Sequence, residues 1–262
     1  VLKIIKKNKI NKMITYHSRT RHANNFKSSI VSTNKCMSFK QNIISDYIDG
    51  KMSPIHRKQI LNKFASIPTK NVGILSNAKV LTEGIDVPAI DAVAFIDPKK
   101  SQLEIIQAVG RALRQHKTKT GKSHVVVPIF VDQKGRLEKN DQIIQKNSMR
   151  DIYNVVNALK SHDDLLSYEL DEFRKNLGRQ PAHNTNRISK ITIDLPMNIP
   201  RSFYDNLTVR IVESTTAAWN FMYGLFLKYV ETNDNKLSPA FVSYGTIVDG
   251  FNLFGWVDKQ RQ

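Results

Sequence analysis

The sequence predicts an α/β fold: a parallel sheet flanked by helices, followed by a small, mostly helical C-terminal module. Three observations predict it. Short apolar runs alternate with amphipathic stretches over the first half of the chain. Some of those runs are apolar almost throughout, not at every second residue, which is the pattern of strands covered on both faces. Beyond residue 132 the apolar spacing becomes mainly helical. With 40% hydrophobic residues in a chain of 262, a core can be buried, and an intrinsically disordered chain is excluded.

The elements follow in order. Met13 to Tyr16 is a short apolar strand, and Arg19 to Ser32 reads as a polar-faced helix. Ile43 to Ile48 is a second strand ending at the turn Asp49-Gly50. Ser53-Pro54 places an N-capping hydroxyl and a proline at the first helical position, and that helix runs through Ile60, Leu61 and Phe64 to stop before Pro68. Asn71 to Ser76 and Asp91 to Ile96 are strands. Ser101 opens a helix with Glu104 at capping-box spacing, and Ile105, Ala108, Val109 and Leu113 form its apolar face. Ser123 to Val131 is a nearly continuous apolar strand. The α/β domain is expected to span 1–132. A helical extension and linker is expected at 133–213, helical from about Ile143 to Asn176, a linker from Gly178 to Asn186, and a short strand at Ile191 to Leu195. A helical module, opening with a helix at Ser214, is expected at 214–262.

Charge narrows the function. The net charge is +17, and it is concentrated at the front: Val1 to Ile60 holds 13 Lys and Arg against Asp46 and Asp49 alone. A basic surface of this kind attracts a polyanion, nucleic acid first; a Lys-rich coding bias gives the same count. The single Cys36 excludes a disulfide framework and fits a reducing, intracellular compartment. No apolar run approaches the ~20 residues of a membrane span. The chain opens at Val1 inside a Lys/Ile/Asn-rich stretch, and we read it as part of a longer protein. His and Cys residues show no metal-ligand spacing, and no metal site is expected. His17 and His116 are expected at the surface, Cys36 at least half-buried, and the acidic cluster Asp163, Asp164, Glu169, Asp171 and Glu172 on a solvated helix face.

Three local patterns carry chemistry. Gln107-Ala-Val-Gly110-Arg111-Ala-Leu-Arg114 lies on a helix, with Arg111 and Arg114 one turn apart and Gly110 permitting close backbone approach. Two forked, permanently charged groups on one turn suit a triphosphate; a salt-bridged amphipathic helix would look the same. Leu81 to Pro88 lies beyond a strand end, where ligands gather in open parallel sheets. There Gly84 allows an unusual backbone angle, and Asp86 can accept from a ribose hydroxyl; an ordinary Gly/Pro turn is the competing reading. Ile14 to Thr20 joins a strand to a helix N-terminus carrying hydroxyls and Arg19, which suits a phosphate or is simply a capped helix start.

Taken together and in this order, these patterns resemble the C-terminal RecA-like domain of superfamily 2 (DEAD/DEAH-like) helicases. Ile14 to Thr20 is similar to motif IV, Gly50 with Arg57 and Phe64 to the intervening block, Thr82 to Pro88 to motif V, and Gln107 to Arg114 to the Q-x-x-G-R-x-x-R form of motif VI. The resemblance covers roughly Met13 to Val131. It implies an ATP-dependent helicase. Arg111 and Arg114 would be arginine fingers, and Gln107 would couple the nucleotide to the other half. Gly84 and Asp86 would lie at the ATP, and Ser18, Arg19 and Thr82 at nucleic acid. The chain has no G-x-x-x-x-G-K-[ST] P-loop and no Asp-Glu-x-His motif. ATP with Mg2+ would therefore be held mainly by an N-terminal RecA-like domain of the same parent chain, and this part alone would be inactive. Trp219, Met222, Tyr223, Leu227, Asp249-Gly250-Phe251 and Gly255-Trp256-Val257 through Gln260-Arg261-Gln262 resemble the helicase-associated module of viral and bacterial helicases, with Trp219 and Trp256 expected in its core. That module carries no net charge from Ser214 to Gln262. The expected partner is nucleic acid, DNA ahead of RNA, with no membrane. A restriction-type or remodelling translocase on duplex DNA, and a scaffold that lost its motor, are the competing functions.

Overall fold

The structure is a computed structural model. It describes residues 1–36, 41–78, 80, 90–97, 101–113, 123–128, 146–179, 188–194, 201–233 and 242–261, with backbone alone at 111–113 and 146–148. The chain forms two compact units, residues 1–158 and 159–262.

Among the described residues the first unit is built on five parallel strands: β1 (Lys12–His17), β2 (Ile43–Asp49), β3 (Val72–Ala78), β4 (Ala92–Phe95) and β5 (His124–Val126). Their order across the sheet is β2-β3-β1-β4-β5. β3 and β4 are buried at every residue, and β1 at all but its first, as runs that are apolar on both faces require. One face packs Met13, Val72, Ile74, Ala92 and Ala94 against α1 (Leu2–Lys7) and α2 (Thr20–Cys36) through Leu2, Ile5, Phe26 and Ile30. The other face carries α3 (Pro54–Ala65): a Cβ added at Gly73 would meet Ile67 at 2.8 Å and Phe64 at 3.1 Å. Ser53 caps α3, its side chain accepting from the His56 N–H at 3.2 Å, with Pro54 at the first helical position, as its sequence predicts. α1 is an addition to the expected elements.

Strand order places a crevice. β1 leads to β2 on one side of the sheet, whereas its neighbour β4 leads to β5 on the other. Between strands whose connections part in this way, the carboxyl ends leave an opening in which ligands of open α/β sheets bind. α4 (Gln102–Leu113) follows β4 and so starts from that same edge.

The second unit holds α6 (Asp164–Arg179), α7 (Arg201–Thr215), α8 (Ala218–Thr232), a hairpin of β6 (Ile247–Val248) and β7 (Phe251–Asn252), and α9 (Leu253–Gln260). α5 (Lys146–Lys160) precedes it and buries Met149, Val155, Val156 and Ala158. α6 and α8 cross with their backbones almost touching at Gly178 and Gly224. Gly178 is thus a buried residue of a helix and not the start of a linker, because only a residue without a Cβ fits between the two backbones. Residues 191–194 form no strand. Ser214 lies in the last turn of α7 and does not open a helix; the next one, α8, begins at Ala218. The hairpin turns at Asp249 and Gly250, with φ of 49° and 83°, the two positive angles of a type I′ turn. Asn252 caps α9 by accepting from the Gly255 N–H at 2.8 Å. Leu225, Phe226, Val242, Leu253 and Val257 form the core of this end of the unit, with Trp256 packed against it. Trp219 is 46% exposed, contrary to expectation, and stacks on Tyr223 at 5.1 Å while its indole N–H donates to Gln260.

Candidate functional site

The crevice between β1 and β4 is bridged by a carboxylate. Asp97 follows β4 and reaches the turn after β1. One of its oxygens accepts from the Ser18 N–H at 2.8 Å and from the Ser18 hydroxyl at 2.8 Å, and lies 2.8 Å from His22 Nδ1 on α2. Burial raises the Asp97 pKa, but the Ser18 N–H, the His22 ring and the Ser18 hydroxyl outweigh it and hold the carboxyl below its ordinary range. The strand-to-helix turn that suits a phosphate is therefore already committed at Ser18. Arg19 is exposed beside it, at the start of α2. Asp97 and His22 were not among the candidate residues. The available signal was a carboxylate directly after a buried strand, in the position where a parallel sheet puts its ligand groups.

Beneath this turn runs a buried polar row. The Thr15 hydroxyl donates to Ser76 Oγ at 3.2 Å across the β1–β3 register and lies 2.9 Å from His17 Nε2. His17 is buried at 1% exposure, not at the surface as expected, because it ends a strand whose α2-side face is covered by Phe26, 5.1 Å away between ring centroids. Burial lowers its pKa to about 4; Asp97 opposes this and His22 adds to it. The imidazole is thus neutral at physiological pH.

α4 carries the second part of the site. Ser101 accepts from the Glu104 N–H at 3.4 Å, at the predicted cap. Ile105, Ala108 and Val109 are buried. At about 100° per residue, Gln107, Gly110 and Arg111 fall on the opposite side of the helix. Gln107 is half-buried and Gly110 exposed, and nothing described lies within 4 Å of a Cβ placed on Gly110. Arg111 lies in the helix with only its backbone described. Arg114, Thr82, Gly84, Asp86 and His116 lie outside the described residues. Of the intervening block, Phe64 is buried under β3, and Arg57 Nε is buried with no partner among the described residues.

Among the described residues no group of three or more His, Cys, Asp or Glu is placed to hold a metal ion, and no helix is long and apolar enough to cross a membrane. The acidic cluster pins its own unit. Asp163 pairs with Lys190 and Asp171 with Lys160, while Glu169 accepts from the Ser189 N–H and hydroxyl. Cys36, the last residue of α2, is exposed, where a buried or half-buried position was expected.

Residues 1–116 match the family described as the helicase conserved C-terminal domain. The chain is similar to IRC3 of Saccharomyces cerevisiae, an ATP-dependent helicase by its name, at 39% identity over 82 residues, which is 31% of this chain and 12% of that protein. It is similar to the ATP-dependent RNA helicase DDX18 of Homo sapiens at 33% identity over 96 residues, 35% of this chain and 14% of that protein. The matches thus span about an eighth of the relatives' length. Among solved structures, the ATP-dependent Type ISP restriction-modification enzyme LlaBIII bound to DNA has a similar fold. It aligns over 90% of this chain and 16% of its own, with a TM-score of 0.65 and 20% identity.

Proposed function

Because residues 1–116 match the family described as the helicase conserved C-terminal domain, we propose that the chain is the second half of an ATP-dependent nucleic-acid motor. One observation carries the reading: the outward face of α4 presents Gln107, Gly110 and the backbone of Arg111 on the side away from the buried Ile105, Ala108 and Val109. A glycine-bearing stripe turned away from its own core, with Arg111 next in the sequence, suits a triphosphate held by another domain. In this reading Arg111 and Arg114 stabilise charge on the transferred phosphoryl group, and Gln107 couples that event to the opposite half. Gly84 and Asp86 lie at the nucleotide, while Arg19 and Thr82 meet the nucleic-acid backbone. Ser18 acts through Asp97, which fixes the turn from which Arg19 projects. Mg2+ and most of the ATP contacts belong to a P-loop domain of the same protein, so residues 1–262 alone do not hydrolyse ATP. Domains at 1–132, 133–213 and 214–262 remain part of this proposal, the last as a helicase-associated module.

Closure of the two halves over ATP would shift the backbone contacts along the strand. The experiment is ATP turnover by the full-length protein with duplex DNA, single-stranded DNA and RNA in turn. Stimulation by any one supports a motor and names its track. Absence of turnover with all three, at saturating binding, would leave a scaffold that keeps the fold. A second reading, movement on duplex DNA without strand separation, is favoured by one finding: the fold likeness to a DNA-bound restriction-modification enzyme runs through the helical unit as well, over 90% of the chain. Stimulation by duplex DNA without release of a labelled strand would select it.

A further inference from the structure

The candidate site lies at the carboxyl ends of the strands; the amino ends form a second charged edge. α1, α2 and α3 all finish there, since each leads into a strand that starts from that edge. Each carries lysine in its last turn, at Lys6, Lys35 and Lys63. Lys9 and Lys70 lie in the connections into β1 and β3, which are neighbours in the sheet. The strand starts are stitched together: the Gly73 N–H donates to the Asn11 carbonyl at 2.7 Å and the Val72 N–H to the Asn42 carbonyl at 2.9 Å. All five lysines are exposed, and none forms an ion pair among the described residues. The carboxylate just before β4, Asp91, is committed to backbone, one oxygen accepting from the Asn11 and Lys12 N–H groups, each at 2.9 Å. A cation at a helix C-terminus offsets the helix dipole, which accounts for Lys6, Lys35 and Lys63. It does not call for Lys9 and Lys70, which lie beyond the helix ends and add charge of the same sign.

We infer that this amino edge, at Lys6, Lys9, Lys35, Lys63 and Lys70, is a second nucleic-acid surface that holds the phosphate backbone of a duplex without reading its sequence. The inference goes beyond the function proposed above: it uses none of that site's residues and needs no ATP. β1 is six residues long, so at about 3.3 Å per residue this edge lies roughly 20 Å from Ser18 and Arg19. The segment held here is therefore separate from one held at the candidate site. The chemistry of the edge selects the partner. Its charges are lysine ammonium groups, compact point charges that suit phosphates and carry no forked geometry for a base or a carboxylate. A lipid surface or a protein partner needs apolar anchors. Of the large apolar residues exposed in this unit, Ile55 and Leu103 sit in the first turns of α3 and α4, at the opposite edge, which leaves Ile44 on the outer strand β2. Exposed lysine–carboxylate pairs are each worth about 0–1 kcal/mol, too little to hold an acidic protein without such anchors. A duplex needs none, because every phosphate neutralised releases condensed counterions.

The test compares the full-length protein with two double variants, Lys9→Gln with Lys70→Gln, and Lys9→Arg with Lys70→Arg. Both positions lie outside the helices, so the helix dipoles are left as they are. Affinity for a labelled mixed-sequence DNA duplex is measured without nucleotide over a series of salt concentrations, together with the thermal midpoint. Each phosphate contact contributes about 0.9 to the slope of log affinity against log salt, so the glutamine pair should lower the slope by roughly two, equally for unrelated duplex sequences. The arginine pair should keep the parent's slope, and all three midpoints should agree. An unchanged slope in the glutamine pair overturns the inference. A lowered midpoint in that pair assigns the lysines to folding and overturns it too. Poly-L-glutamate that displaces the duplex from the parent but not from the glutamine pair, at equal charge concentration, would reassign the edge to an acidic protein and overturn it as well. Absence of ATP turnover in the parent would defeat the proposed motor and leave this measurement intact.

Discussion

Replacing Gly224 by alanine should damage the helical unit, although alanine is the better helix former. A Cβ at position 224 would sit 1.9 Å from the Lys175 carbonyl oxygen, 2.9 Å from its carbon and 3.0 Å from the Arg179 nitrogen. All three are backbone atoms of α6, so no rotamer change relieves the clash. A carbon and a carbonyl oxygen in contact lie about 3.3 Å apart, so α6 and α8 would have to separate by roughly 1.4 Å. A gap of that size forfeits much of the dispersion energy along the seam, and overpacking of this kind costs about 3 kcal/mol. Helix propensity returns about 1 kcal/mol, leaving a net loss of about 2 kcal/mol. The assay is urea unfolding followed by tryptophan fluorescence, since both tryptophans of the chain, Trp219 and Trp256, lie in this unit. Gly110→Ala is the control: its Cβ meets nothing described within 4 Å, so it should gain up to about 1 kcal/mol by circular dichroism. An unfolding midpoint for Gly224→Ala equal to or above the parent's would refute the close crossing of α6 and α8.

Three further outcomes are expected. Asp97→Ala removes the carboxylate that holds Ser18 and His22 and should cost about 2 kcal/mol. Because the folded-state pKa of Asp97 is depressed, its contribution is present above the unfolded value of about 3.9 and is lost as pH falls through the folded value; a denaturation series at pH 7 and pH 3 should show the variant's deficit shrinking in acid. His17, held neutral with a pKa of about 4, binds a proton more readily when unfolded. Its contribution is full above the unfolded pKa of about 6.5 and is lost between there and pH 4, on the order of 3 kcal/mol at most, and His17→Gln should flatten that slope in urea titrations between pH 7 and 5. If Arg19 meets a phosphate, Arg19→Ala should reduce the slope of log affinity against log salt by about one in the full-length protein, uniformly across nucleic-acid sequences.

The strands were legible because β4 and the first four residues of β3 are buried on both faces and carry no polar residue to break the run. The start of α3 was legible because Ser53-Pro54 fixes a cap through local chemistry alone. The stripe on α4 was legible because helical spacing places Gln107, Gly110 and Arg111 opposite Ile105 and Val109 without reference to anything else. Strand order was not, since β2-β3-β1-β4-β5 depends on which strands pair and not on any one of them. For the same reason the Asp97–Ser18 bridge was hidden: its partners are 79 residues apart. Gly178 read as a breaker because its reason for being glycine, the backbone of Phe221, lies on another helix. α1 was missed because its six residues, three of them lysine, show only Leu2 and Ile5 as a buried pair. α7 was missed although Phe203, Leu207 and Ile211 recur at helical spacing, because the polar residues interleaved with them give the segment the composition of a linker.

The most direct test of the motor is Arg114→Ala in the full-length protein, with ATP turnover and nucleic-acid binding measured on the same preparation. An arginine that meets the transferring phosphoryl group across a domain cleft is worth about a thousandfold or more in turnover and little in binding to nucleic acid. The account predicts that turnover collapses while affinity for nucleic acid stays near that of the parent. Turnover that survives the substitution, or a loss of turnover that merely follows lost nucleic-acid binding, would contradict it.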